Sequence, residues 1–252
     1  MRRTPKTDTD ADWELWGQRD PYFGVISHSR FRRKNLTPAD KAEFFKTGEG
    51  HLQHVLDICR RHVDKDFAPK SALDFGCGVG RVAIPLSKVA QRVVGLDVAD
   101  SMLSEARKNL ELFKVRNVEL IKSDDSLSAV TGTFDLVHSM IVFQHLEPPR
   151  GRELFRKLVT LLAPGGICAA HFTYAKTQYP ATYGAMPPEE ARAALKAALQ
   201  NPQNTDPLML MNSYNLNELL FIVQTSGITR LHLEFTDHGG ELGVVFYFQK
   251  AR

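Results

Sequence analysis

From residue 71 onward, short apolar runs alternate with amphipathic stretches. "SALDF" predicts a strand, residues 81–90 a helix, and "RVVGLD" a second strand. A helix over about 100–113 is followed by strands at "NVELIKS" and "FDLVHSM", a helix over 147–162 and a strand at "GICAAHF". This alternation predicts a parallel sheet with helices on both faces, and right-handed crossovers make it doubly wound. The helix "NLNELLFIVQTSG" and the strands "ITRLHLEFT" and "ELGVVFYFQ" complete a seven-stranded sheet. "DHGG" between the last two suits a hairpin-like reversal, so the last strand is expected to be antiparallel. The fold class is therefore α/β, a doubly wound and mostly parallel sheet.

The pattern fails at two places. Residues 1–12 are polar with no apolar anchor and read as disordered. The aromatics from Trp13 to about Ser29 are irregularly spaced and too apolar for a free tail. Thr37 as N-cap and Pro38 at the first helical position start a helix that Gly48 is expected to stop. A second helix over about 49–63 places Leu52, Val55, Leu56 and Cys59 on one stripe. Residues 1–65 thus form an N-terminal aromatic and helical cap on a core of 66–252. Within the core, about 174–213 holds five prolines around one Ala-rich helix; it is too long for a plain connection and is expected to be a lid.

Composition changes this picture little. Hydrophobic content of 43% and charged content of 24% exclude a disordered or fibrous chain. The net charge of +3 permits a nucleic-acid partner without arguing for one. The one basic cluster, "RFRRK" at 30–34, reads as a solvated face, with an anion-binding patch as the alternative. Cys59, Cys77 and Cys168 are widely spaced and contain no CxxC, which supports neither disulfides nor a metal site. No apolar run approaches the roughly 18 residues of a membrane span, and no apolar segment follows the basic N-terminus. A cytoplasmic location is expected by default.

The chemistry concentrates at "SALDFGCGVGR". Gly76, Gly78 and Gly80 fall at alternate positions between the first strand and its helix, where backbone can approach a ligand. A dinucleotide fingerprint needs glycine at the sixth position, where Arg81 stands; no G-K-[ST] follows, which excludes a P-loop. Asp97, 17 residues past Gly80, ends the second strand in position to hold a ribose. Asp124, after the third strand, could accept from an exocyclic amine. The alternative makes both acids N-caps or turn residues.

"ALDFGCGVGR", "GLDVADSML", "IKSDDS", "FDLVHSMIVFQHL" and "LLAPGGIC", in this order, resemble the successive motifs of class I S-adenosylmethionine-dependent methyltransferases. The resemblance covers about residues 71–249. It implies S-adenosylmethionine as cofactor and S-adenosylhomocysteine as product. It implies that Asp74, Gly76, Cys77, Gly78 and Gly80 hold the methionine end, with Cys77 a small loop residue and no nucleophile. Asp97 would take the ribose, Val98 and Met102 would lie along the adenine, Asp124 and Asp125 would meet its edge, and Ser139 would sit beside the methionine.

A hydroxyl or protonated amine acceptor needs a base, usually histidine. His145 in "FQHLEPP" is the candidate base or substrate contact, the alternative being a structural hydrogen bond. His238 is a second candidate, His171 is expected at the pocket rim, and the other histidines read as surface residues. Trp16, Tyr22 and Phe23 could fold over the cofactor or merely pack as a cap; Tyr179, Tyr183 and Met186 would complete an apolar chamber for a small acceptor. A nucleic-acid acceptor is disfavoured because "SMIVFQ" replaces the [DN]-PP-[FYW] motif of base methyltransferases. The expectation is methyl transfer to oxygen or nitrogen of a small molecule by a monomer or homodimer. An RNA or protein methyltransferase and an inactive adenosylmethionine-binding module are the alternatives.

Overall fold

The computed structural model describes residues 8–200, 206–228 and 230–252. Seven strands form one sheet: β1 Ser71–Phe75, β2 Arg92–Asp97, β3 Val118–Lys122, β4 Phe134–Ser139, β5 Leu162–Lys176, β6 Leu231–Asp237 and β7 Glu241–Gln249. Their order is β3-β2-β1-β4-β5-β7-β6. β1 to β5 pair in parallel, and β7 runs antiparallel to both neighbours. Successive crossovers diverge on either side of β1, which opens a crevice beyond the carboxyl ends of β1 and β4.

The eight α-helices among the described residues are α1 Thr9–Arg19, α2 Pro21–Val25, α3 Pro38–Ile58, α4 Ala83–Leu86, α5 Asp100–Leu112, α6 Pro148–Thr160, α7 Pro188–Gln200 and α8 Leu216–Thr225. α6 and α8 bury Leu154, Leu158, Leu219 and Ile222 against one face of the sheet. α3 buries Leu52, Val55 and Leu56 against the other, over Ala72, Leu136 and Ala169. Among the described residues no helix is long and apolar enough to cross a membrane.

Gly48 does not stop a helix. α3 runs unbroken from Pro38 to Ile58 and continues into one π-helical turn, Cys59–Val63. The glycine serves a close approach, since a Cβ there would lie 2.0 Å from the Arg81 carbonyl oxygen. The next helix, expected over 81–90, is shorter, Ala83–Leu86. Pro85 has no N–H to give the Arg81 carbonyl, which instead abuts α3.

Residues 1–7 of the segment expected to be disordered lie outside the described residues, but Thr9–Asp12 are helical. Asp8 accepts the N–H of Ala11 at 3.2 Å and caps α1. The irregular aromatics after it make a small core of their own with Trp16, Tyr22, Phe31, Phe44 and Phe45 against Val79, Ile84 and Met102. β5 extends to Lys176, beyond the expected start of the insertion, because β7 pairs with it to that point.

Candidate functional site

A cavity of about 500 Å³ opens in the crevice beside β1. Its floor is the glycine loop. Gly76, Gly78 and Gly80 have φ of 74°, 53° and 88°, a left-handed run that suits glycine. The loop is fixed from beneath, as the N–H groups of Gly76 and Cys77 both donate to the Leu96 carbonyl at 2.8 Å. Cys77 is buried away from the cavity, and burial pushes its thiol well up, leaving it protonated and inert.

Asp97 lines the cavity at the tip of β2. Its Oδ2 accepts from Gly78 N at 2.8 Å and its Oδ1 from Ala99 N at 3.0 Å. Burial outweighs these bonds and raises its pKa to about 6. Such a carboxylate has lone pairs left for hydroxyl donors. Val98 and Met102 lie beside it on the cavity wall.

At the tip of β3 the two acids separate. Asp124 turns away from this cavity: its Oδ1 accepts from Ser126 N at 2.9 Å, Ser126 Oγ at 2.6 Å and Leu127 N at 2.8 Å, closing a turn. Ser123 and Asp125 line the wall instead. Asp125 accepts from Arg150 Nε at 2.7 Å, while the same guanidinium holds Asp10 at 2.7 and 2.8 Å. α1, α6 and the β3 tip are thereby joined at the rim.

The opposite wall comes from the turn after β4. Phe143, fully buried and stacked 4.3 Å from Phe172, pins a short 3₁₀ turn of residues 143–145. His145 follows on the cavity wall, its ring 4.8 Å from Trp13. Its Nδ1 donates to the Leu210 carbonyl at 2.7 Å, so Nε2 is the nitrogen that can accept a proton. Burial lowers its pKa to about 4, which keeps it neutral. Ser139 ends β4 fully buried, with its hydroxyl unpartnered among the described residues.

The cap aromatics divide differently from expectation. Trp16 and Tyr22 are buried outside the cavity wall, Tyr22 held by Glu105 and Asn109, each at 2.9 Å. Phe23 lies under the Arg32 guanidinium, 3.6 Å from its carbon. Trp13, Val25 and Ile26 supply the wall. The insertion reaches the cavity through Met209 and Met211, not through its tyrosines, and Tyr183 is 96% exposed. Trp16 Nε1 donates to Leu208 O and Arg32 pairs with Asp206, so the end of the insertion is tied to the cap.

Two histidines contradict their expected surface location. His138, on β4, is 2% exposed, and His51 reaches the cavity wall from α3. His171 is not at the rim either. It is 1% exposed, with Nε2 3.1 Å from Thr236 Oγ1, and burial lowers its pKa to about 4. His238 and Glu241, on the turn into β7, do line the cavity. Among the described residues no cluster of His, Cys, Asp or Glu could hold a metal ion.

Comparison with known proteins agrees with this geometry. Residues 72–166 match the family model of a methyltransferase domain. A ubiquinone biosynthesis O-methyltransferase of Thiobacillus denitrificans is 34% identical over 118 residues, 46% of this chain and 50% of that protein. A ribosomal protein L11 methyltransferase of Lactobacillus gasseri is 32% identical over 154 residues, 54% of this chain and 47% of that protein. The chain thus spans about half the length of these curated relatives. A magnesium protoporphyrin IX methyltransferase of Synechocystis, solved with S-adenosylhomocysteine, superposes with TM-score 0.62 at 16% identity, covering 97% of this chain and all of that one. The N-methyltransferase NodS of Bradyrhizobium japonicum gives TM-score 0.57 at 12% identity over 96% of this chain and all of that one. The fold is that of the class I S-adenosylmethionine-dependent methyltransferases. Residues 72–166, which match the methyltransferase-domain model, lie within that fold.

Proposed function

We propose that the chain is an S-adenosylmethionine-dependent methyltransferase acting on oxygen or nitrogen of a small molecule. The observation that carries this reading is the shared wall of Asp97 and the glycine loop: an acid for vicinal hydroxyls and exposed backbone meet in one cavity. S-adenosylmethionine supplies an electrophilic methyl group on a sulfonium.

The residues fit that molecule. Asp97 accepts from the ribose, Val98 and Met102 flank the base, and Ser123 and Asp125 meet its edge; Asp124 supports that turn. The loop at 76–80 receives the amino-acid end. Among the described residues, Asp74 Oδ2, Arg81 Nε and Ser139 Oγ are buried near this end without hydrogen-bond partners, as groups awaiting a polar ligand are. A volume of about 500 Å³ is within the ordinary range for ligand sites.

The acceptor side favours a small, partly apolar molecule. Trp13, Val25, Ile26, Met209 and Met211 exclude water, and Gln144, His145, His238 and Glu241 give polar contacts. Alignment and dryness supply most of the catalysis such a displacement needs. Residues 1–65 act as the cap and the insertion as a lid, and the enzyme works in the cytoplasm as a monomer or homodimer.

A protein acceptor is the second reading, since one relative is named for ribosomal protein L11. Its docking patch would be 30–34, yet Arg32 there is bound to Asp20 and Asp206. The test is calorimetry with S-adenosylhomocysteine, followed by transfer of labelled methyl to a panel of phenols and amines and to ribosomal protein. Micromolar product binding and labelled small molecules are expected. Labelled protein alone would select the second reading, and absence of product binding would remove both.

A further inference from the structure

Under α3, three polar side chains make a chain from the buried sheet to the cavity. Asp74 on β1 and His138 on β4 are register partners, 3% and 2% exposed. His138 Nδ1 lies 2.8 Å from Asp74 Oδ1, and His138 Nε2 lies 2.8 Å from His51 Nε2. His51 reaches the cavity wall.

The contact between two Nε2 atoms constrains the protons, because one must donate and the other accept. With Asp74 ionised, His138 donates through Nδ1–H. If His138 is neutral, its Nε2 is bare and accepts from His51 Nε2–H, which leaves His51 Nδ1 with a free lone pair. If His138 is an imidazolium, its Nε2–H donates to His51, whose proton then sits on Nδ1. The same heavy-atom positions therefore hold the chain in two forms that differ by one proton.

We propose that Asp74, His138 and His51 form a proton relay that takes up the proton an acceptor loses on methylation, with His51 touching the acceptor. This rests on the methyltransferase reading above. The O–H or N–H bond of the acceptor breaks toward His51 Nδ1, and its electron pair forms the bond to the methyl carbon. The pair of the broken C–S bond stays on sulfur. His51 passes its Nε2 proton to His138, which becomes an imidazolium against the Asp74 carboxylate. His138 and Asp74 are positioning residues.

Electrostatics explains why the chain is needed. Burial, His138, Arg81, His54 and His171 hold the His51 ring at a pKa of about 2, so a proton cannot rest there. One link further in, it rests beside a carboxylate at 2.8 Å, as the imidazolium of a Ser-His-Asp triad does. His145 has a backbone carbonyl behind it, not a carboxylate, and keeps no such sink.

The test is a histidine ¹⁵N NMR titration of the full chain saturated with S-adenosylhomocysteine, with kinetics alongside. At neutral pH, His51 is expected as the Nε2–H tautomer and His138 with a strongly deshielded Nδ1 proton. On acidification both rings should change at one midpoint, shared by a single proton. Asp74→Asn should abolish the deshielded proton and move that midpoint down by about one pH unit or more. His51→Gln, at a partly buried site on the cavity wall, should fold, keep the deshielded proton, and lower kcat about 100-fold on the best acceptor of the panel. Separate midpoints, a midpoint unmoved by Asp74→Asn, or unchanged kcat in His51→Gln would overturn the relay. Calorimetry on the same samples separates the two readings: normal product binding with separate midpoints sinks only the relay, while no binding sinks the methyltransferase reading.

Discussion

The Asp97 carboxylate accepts the backbone N–H of Gly78 at 2.8 Å, joining the tip of β2 to the glycine loop. One side chain thus holds the loop's shape and faces the cavity. The acid is aimed before any ligand arrives, and it is already partly buried.

That partial burial makes binding pH-dependent. A carboxylate with pKa of about 6 sits above its unfolded value, so between those two pH values the folded protein carries the extra proton. The contribution of Asp97 to stability is therefore favourable at low pH and is lost as pH rises through about 6. Ligand affinity runs the other way, because hydroxyl donors prefer the ionised acid. S-adenosylhomocysteine affinity should be flat above about pH 7 and fall below about pH 6, approaching roughly tenfold per unit. Calorimetry across this range checks it, and Asp97→Asn should flatten the profile.

Gly48 sets how closely α3 approaches the glycine loop. A methyl group there would meet the Arg81 carbonyl oxygen at 2.0 Å, which is backbone and cannot swing aside. Gly48→Ala should cost about 1–3 kcal/mol, which lowers Tm on the order of 5 °C. Gly50, two residues on, has nothing within 4 Å and serves as the control. Equal melting temperatures for the two alanine variants would contradict the close-approach role.

His145 contacts the acceptor in this account and does not carry its proton. His145→Ala should leave product binding within about twofold and raise the acceptor KM on the order of tenfold, with kcat much less changed. A large loss in kcat at unchanged KM would assign the base role to His145.

The sheet was legible because most of its strands contain a short apolar run and the crossovers between them are amphipathic. Asp97 and the glycines were legible because they interrupt that pattern at strand tips, where open sheets bind ligands. The contacts that join Asp74, His138 and His51 were missed although a signal existed. His51 lies on the same inward stripe as Gly48, Leu52 and Val55, and His138 is a polar residue directly after the buried Leu136 and Val137 of β4. Which aromatic of the cap faces the cavity was not legible, because Trp13 and Trp16 differ only by the tilt of a helix that tertiary contacts fix. The same holds for Asp124 and Asp125, where the turn takes one acid and Arg150 the other.

The most direct measurement is the affinity of S-adenosylhomocysteine for the wild-type chain and for Asp97→Ala, by calorimetry at about pH 7.5. Micromolar binding by the wild type and a loss of about 100-fold or more in the variant, with its fold intact by circular dichroism, are the predicted results. Equal affinity in both proteins, or no binding by the wild type, would contradict the account.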